Sequence, residues 1–264
     1  MTEFIQVGEV RVAFERAGDG PPLVLMHGAE ASRQMFAALV PHLAKHFTVI
    51  AYDQRDCGDT DGLETGSTLA DLAEDARQLI DILELGRAHV FGSSFGGRVA
   101  QALTLRHPHC VDRLVLGSTW PLPEAYEDLC PDAPRLAALR RQLPAAAEEL
   151  ASWFFPEAFL QQRPKLRCVF ANARPESARS ARRAATVQTT LDRDIADIAV
   201  PTLLLAGELD RVVPPAVTLS MAQRIRGAKL TQLPGIGHAT ALQAPELLAK
   251  HLVRFLLGDP QDKE

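Results

Sequence analysis

Three short stretches carry residue types that together could attack a carbonyl. Gly92-Ser93-Ser94-Phe95-Gly96 fits G-x-S-x-G. AGELDRVVPP offers Glu208 and Asp210, and LPGIGHAT offers His238. A serine hydroxyl is a weak nucleophile until a base takes its proton. The usual base is a histidine oriented by a carboxylate. Ser94 has glycine at both −2 and +2, and Ser93 has neither. A serine on a sharp turn needs small neighbours at those places, so Ser94 is the candidate nucleophile and Ser93 a supporting residue.

Eight histidines are present. His42, His46, His107, His109 and His251 read as helix or helix-end surface residues, and His89 opens a strand. His238 lies in a Gly-rich loop after the last apolar run, where a mobile base belongs. Glu208 and Asp210 both follow the run PTLLL; Asp210 lies further out, before an apolar turn, and is the preferred carboxylate. The order is then Ser94, Asp210, His238, one of the known orders for such a triad. The oxyanion needs two fixed N–H donors. Phe95 follows the nucleophile, and Ala29 in HGAE is the second candidate.

These residues need elements to hold them. FIQV and EVRVAFERA alternate, as antiparallel edge strands do. PLVLM, TVIAYD, AHVFG and DRLVLGST are continuous apolar runs suited to buried parallel strands. Between them, SRQMFAALVPHLAKHF, TLADLAEDARQLIDILEL and SFGGRVAQALTLRHP read as helices. The rhythm implies a mostly parallel sheet covered on both faces. It breaks over residues 120–195, which hold short helical patterns and many prolines, and resumes with VPTLLLAGE, AVTLSMAQRIRG, AKLTQL and a helix from about Pro245 to Leu257. The expected division is a core of 1–119 and 196–264 interrupted by a helical cap over 120–195.

The segments MHGAE, YDQRDCGDTD, FGSSFGGRVA, LLLAGELDRVVPP and LPGIGHAT resemble the α/β-hydrolase superfamily across nearly the whole chain outside the cap. The resemblance implies an α/β fold with an eight-stranded, mostly parallel sheet and a helical cap insertion. It carries the triad onto Ser94, Asp210 and His238, and gives Asp53, Arg55 and His27 structural places. The usual D-x-R-G-x-G is altered: Asp56 stands for the first glycine, so the loop is expected to bend differently there. Ser93 also replaces the His or Gln often found before the nucleophile. A serine nucleophile argues against the haloalkane dehalogenases and epoxide hydrolases, and H-G-G-P-G of the proline iminopeptidases is absent.

The resulting expectation is a serine hydrolase of small or medium esters or lactones, without metal or organic cofactor. Carbon–carbon bond hydrolysis or perhydrolysis on the same triad is an alternative, and a non-catalytic ligand receptor is another. Trp120, Trp153, Phe154 and Phe159 either line an apolar substrate pocket or pack the cap's own core. Of the cap arginines Arg163, Arg167, Arg174, Arg179, Arg182 and Arg183, most should be solvated and one could meet a substrate carboxylate. Cys57 and Glu30 flank the expected site without a chemical role.

A formal net charge of −5 and the lack of a basic run exclude nucleic acid as a partner. No apolar stretch approaches the ~18 residues of a membrane span, and no signal-peptide pattern opens the chain. Four scattered cysteines read as free thiols. The expected setting is the cytoplasm; a homodimer is left open.

Overall fold

Continuous apolar runs become the central strands of one eight-stranded sheet in the computed structural model, which describes residues 1–171 and 177–258. The strands are β1 (Glu3–Val7), β2 (Val10–Ala17), β3 (Pro22–Met26), β4 (Thr48–Tyr52), β5 (Ala88–Ser93), β6 (Val111–Gly117), β7 (Thr202–Gly207) and β8 (Lys229–Leu233). Their order is β1-β2-β4-β3-β5-β6-β7-β8. β1 and β2 pair antiparallel, as does β2 with β4; every other pairing is parallel. The alternating segments thus sit at one edge and the apolar runs inside, as burial on both faces requires.

The helices are α1 (Val40–Leu43), α2 (Leu69–Ile82), α3 (Phe95–Arg106), α4 (Tyr126–Leu129), α5 (Ala133–Arg141), α6 (Ala147–Phe154), α7 (Glu157–Gln162), α8 (Ala178–Gln188), α9 (Pro215–Ser220), α10 (Thr240–Gln243) and α11 (Pro245–Leu257). Successive strand residues feed opposite layers. Val24, Ile50, Val90 and Leu204 pack with Leu72 and Leu79 of α2 and Val99 and Leu103 of α3. Leu23, Leu25, Phe91 and Val115 pack with Leu43 of α1 and Leu248 and Leu252 of α11. Helices therefore cover both faces, and the parallel strands all end at one edge.

Two helical expectations are shortened. SRQMFAALVPHLAKHF yields a 3₁₀ turn at Arg33–Phe36 and then only α1. Pro41 explains the break, because it has no N–H to donate to a preceding turn and fits only near a helix start. AVTLSMAQRIRG likewise becomes α9 and a 3₁₀ turn at Met221–Gln223. Between β6 and β7 the described residues form α4–α8 and short 3₁₀ turns, with no strand. Arg174 lies outside the described residues.

The four cysteines are free thiols. Among the described residues no helix is long and apolar enough to cross a membrane, and no group of three or more His, Cys, Asp or Glu is arranged to hold a metal.

Candidate active site

β5 ends at Ser93 and α3 starts at Phe95, so the reversal falls on Ser94 alone, at φ 54° and ψ −124°. A side chain rarely tolerates that backbone. It is held by Ser94 N–H donating to Gly117 O at 2.9 Å and Gly97 N–H donating to Ser94 O at 2.8 Å. A Cβ on Gly96 would lie 2.1 Å from Met26 O, and one on Gly92 2.3 Å from Gly96 O. The glycines at −2 and +2 are therefore steric requirements of the turn. Phe95 N–H sits in the first turn of α3, where no intrahelical acceptor exists. Among the described residues neither Phe95 N–H nor Ala29 N–H has an acceptor.

Asp210 and His238 come together from the loops after β7 and β8. His238 Nδ1 lies 2.9 Å from Asp210 Oδ2 and 3.1 Å from Oδ1. Asp210 Oδ1 also accepts from Val212 N–H and Val213 N–H, each at 2.9 Å. A carboxylate so held has no proton to give, so Nδ1 is the donor and Nε2 is left as the acceptor. Both side chains are buried. Glu208, the rival acid, instead accepts from Gly235 N–H at 2.8 Å and secures the turn before His238. No hydrogen bond joins Ser94 Oγ to His238 among the described residues; such contacts commonly tighten only when substrate binds.

A cavity of about 840 Å³ opens beside Ser94, lined among others by Ala29, Arg98, Trp120, Tyr126, Val212 and Arg183. Trp120 packs on Tyr126 at 5.1 Å between ring centroids, and Tyr126 Oη donates to Val212 O at 2.6 Å. Of the four aromatics singled out in the sequence, Trp120 alone lines this cavity. Trp153 is covered by the Arg211 guanidinium, Phe159 stacks on Phe155, and Phe154 sets its ring edge-on to the His238 imidazole at 5.2 Å. Phe154 thus walls the candidate base.

Arg183, like Arg98, is a buried cation on the wall of this cavity. Its Nε donates to Ala29 O at 2.9 Å and its Nη2 to Gln54 Oε1 at 3.0 Å, and the guanidinium lies 4.8 Å from the Phe95 ring centroid. Its Nη1 has no hydrogen-bond partner among the described residues. Burial lowers its pKa from the usual arginine value. Gln54 Nε2 donates to His27 O at 2.7 Å and Gln54 N–H to His27 Nε2 at 3.1 Å, so His27 Nδ1 donates to Gly28 O at 2.8 Å. Burial, and then the Arg183 charge, push the His27 pKa down to about 3. His27 is therefore a neutral strut at ordinary pH. Gln54 and Arg98 escape sequence reasoning because neither belongs to a triad pattern. Gln54 does stand in the quoted DQR run.

Asp53 accepts from Arg33 N–H at 2.7 Å and pairs with the Arg33 guanidinium, while Arg55 forks onto Asp75 at 2.6 and 2.7 Å. Asp56 takes φ 60°, so it adopts the left-handed conformation expected of a glycine at this place. Glu30 pairs with Arg140 of α5 at 2.6 Å, on the cavity wall.

The family model described as "alpha/beta hydrolase fold" matches residues 21–245. A protein of Caulobacter sp. (strain K31) named "Putative carbamate hydrolase RutD" is 30% identical over 251 residues, which span 92% of this chain and 93% of that one. The 2-hydroxymuconate semialdehyde hydrolase of Pseudomonas sp. (strain CF600) is 31% identical over 97% of this chain and 92% of its own. The crystal structure of the enol-lactonase from Burkholderia xenovorans LB400 superposes with a TM-score of 0.82 at 27% identity, covering 97% of this chain and 100% of that one.

Proposed function

The chain belongs to the alpha/beta hydrolase fold family and is a hydrolase of that fold; from that premise we propose a serine hydrolase that cleaves small to medium esters or lactones through an acyl-enzyme on Ser94. The observation that carries this reading is the His238–Asp210 pair, which leaves Nε2 as a base at the strand edge where Ser94 is pinned.

Ser94 Oγ attacks the carbonyl carbon as His238 Nε2 takes its proton. The oxyanion is met by the N–H groups of Phe95 and Ala29, each such donor typically supplying about 3–4 kcal/mol of transition-state stabilisation. Collapse expels the alkoxide, which takes the proton from His238. Water then loses a proton to the same nitrogen and attacks the acyl carbon, and collapse releases the acid as Ser94 Oγ takes that proton back from His238. Asp210 holds the imidazole and faces its charge throughout. The described residues between 120 and 195 act as the cap that walls the cavity, and no metal or organic cofactor is required.

The substrate class follows from Arg183. A buried guanidinium with one edge unpaired, on the cavity wall and over the Phe95 ring, suits an acyl group that carries a carboxylate. The test compares p-nitrophenyl hemisuccinate with p-nitrophenyl pentanoate, which share a scissile bond and differ in charge. In Arg183→Gln the hemisuccinate-to-pentanoate ratio of kcat/KM falls by about 10–100-fold, the loss of one charge-assisted pair. An unchanged ratio removes the anionic-substrate reading.

The reaction itself is tested by a panel of p-nitrophenyl esters and lactones beside a fluorophosphonate label located by mass spectrometry. Turnover with the label on Ser94 is expected; label on another residue defeats the assignment, and neither turnover nor label favours a ligand receptor. Carbon–carbon bond hydrolysis is the second reading, favoured by the 31% identity to a 2-hydroxymuconate semialdehyde hydrolase. Product analysis of an oxo-dienoate digest separates the two.

A further inference from the structure

Helix α8 presents Arg179, Arg182 and Arg183 to the loop after β4, a spacing that puts them on one helix face. Each meets a different partner. Arg179 Nη2 donates to Gly58 O at 2.8 Å and Thr60 O at 2.7 Å. Arg182 closes on Asp56, with Nη2 2.6 Å from Oδ1 and Nε 3.2 and 3.3 Å from the two oxygens. Arg183 donates to Ala29 O and Gln54 Oε1 and makes no ion pair among the described residues.

Asp56 and Glu30 are the carboxylates whose charges reach Arg183, yet Asp56 gives its oxygens to Arg182. The Asp56 side chain is 1% exposed, and the loop closes on it so tightly that a Cβ on Gly62 would lie 2.2 Å from Oδ2. Its left-handed backbone is one that glycine would adopt with less strain. A strained, buried acid persists only where its surroundings fix it, and such residues gather at functional sites.

Resting on the reading of Arg183 as the anion contact, we infer that Asp56, acting through Arg182, is a positioning residue that sets Arg183 over Phe95 for the acyl carboxylate. The pair ties α8 beside Arg183, with the Arg179 bonds to Gly58 O and Thr60 O as a second tie one turn earlier. The C-terminal half has its own ties, from Thr186 Oγ1 to Ser67 O at 3.0 Å and from Leu69 N–H to Thr189 Oγ1 at 2.8 Å. Loosening Asp56 therefore removes the tie next to Arg183 and lets that turn of the helix shift between the Arg179 and Thr186 anchors.

The sign of the effect separates positioning from simple field. Removing a negative charge beside the cavity would by itself draw an anionic substrate in more strongly. Losing the position of Arg183 does the reverse. In Asp56→Asn the hemisuccinate-to-pentanoate ratio of kcat/KM falls about tenfold, mainly through KM for hemisuccinate. Asp56→Gly, which relieves the left-handed strain, gives the same fall and serves if the Asn variant does not fold. In an Arg183→Gln background either change alters the ratio by no more than about twofold, since the two residues act as one unit. A ratio that stays or rises in the Asp56 variants, or that falls further in the Arg183→Gln background, overturns the inference. If Arg183→Gln alone leaves the ratio unchanged, the anion reading fails and this inference with it; if Arg183→Gln lowers it and the Asp56 variants do not, only the positioning role is lost.

Discussion

Ser94→Ala lowers kcat on p-nitrophenyl esters by about 10⁶-fold, with the protein still folded. The size of the loss follows from the chemistry. Without Oγ there is no acyl-enzyme, and His238 can at best activate a water that no backbone fixes in place. The remaining catalysis comes from the Phe95 and Ala29 donors and from substrate binding, worth about 10³–10⁴ over water in enzymes of this kind. The fold should survive because the strain at φ 54° is set by the backbone bonds to Gly117 and Gly97, which alanine keeps. Steady-state kinetics with thermal unfolding on the same preparation checks both halves. The substitution also abolishes any burst of p-nitrophenol in rapid mixing, because that burst counts acyl-enzyme formation. A variant that keeps ester turnover within tenfold of the parent would mean that another group attacks the carbonyl.

The sheet and the positions of Ser94, Asp210 and His238 were legible for one physical reason. Each depends on local sequence: an apolar run long enough for a strand, then small or polar residues where the chain must turn at its end. Gly92 and Gly96 announce the reversal at Ser94 because no other residue fits against the Met26 and Gly96 carbonyls. Asp210 and Glu208 stand two residues apart after the same strand, and the structure places Glu208 on Gly235 N–H and Asp210 on His238. Legibility stops where contacts cross between distant segments. Trp153, Phe154 and Phe159 sit close together in a stretch rich in aromatics, but which layer each ring enters depends on how α6 and α7 lie over the loops after β7 and β8. Arg183 reads only as one of six cap arginines, most of them expected to be solvated, and the sequence near it holds no acid that marks it as special. Its burial is set by Ala29 and Gln54, more than a hundred residues earlier. The left-handed Asp56 was visible as a departure from the family pattern; that the backbone keeps the glycine conformation, and that the carboxylate meets Arg182, was not.

Asp210→Asn lowers kcat by about 10⁴-fold with little change in the shape of the site. The hydrogen bonds dictate how. Asp210 Oδ1 accepts from Val212 N–H and Val213 N–H, so an asparagine carbonyl oxygen would take that place and the amide nitrogen would turn to His238. An amide N–H facing Nδ1 makes Nδ1 the acceptor and moves the ring proton to Nε2. That nitrogen then points a proton, not a lone pair, at the cavity side of the ring and cannot relieve Ser94 of its own. The edge-on Phe154 ring and the burial of His238 itself leave the imidazole little room to rotate and recover the other tautomer. Asp210→Ala leaves Nδ1 without an imposed partner, so it should retain more activity than the asparagine variant if tautomer control is the main role of the carboxylate. Asparagine and alanine variants with equal losses would instead point to electrostatic support of the imidazolium as the dominant effect. A loss below tenfold in both would place the orienting group elsewhere, and Glu208→Gln would then be the substitution to examine.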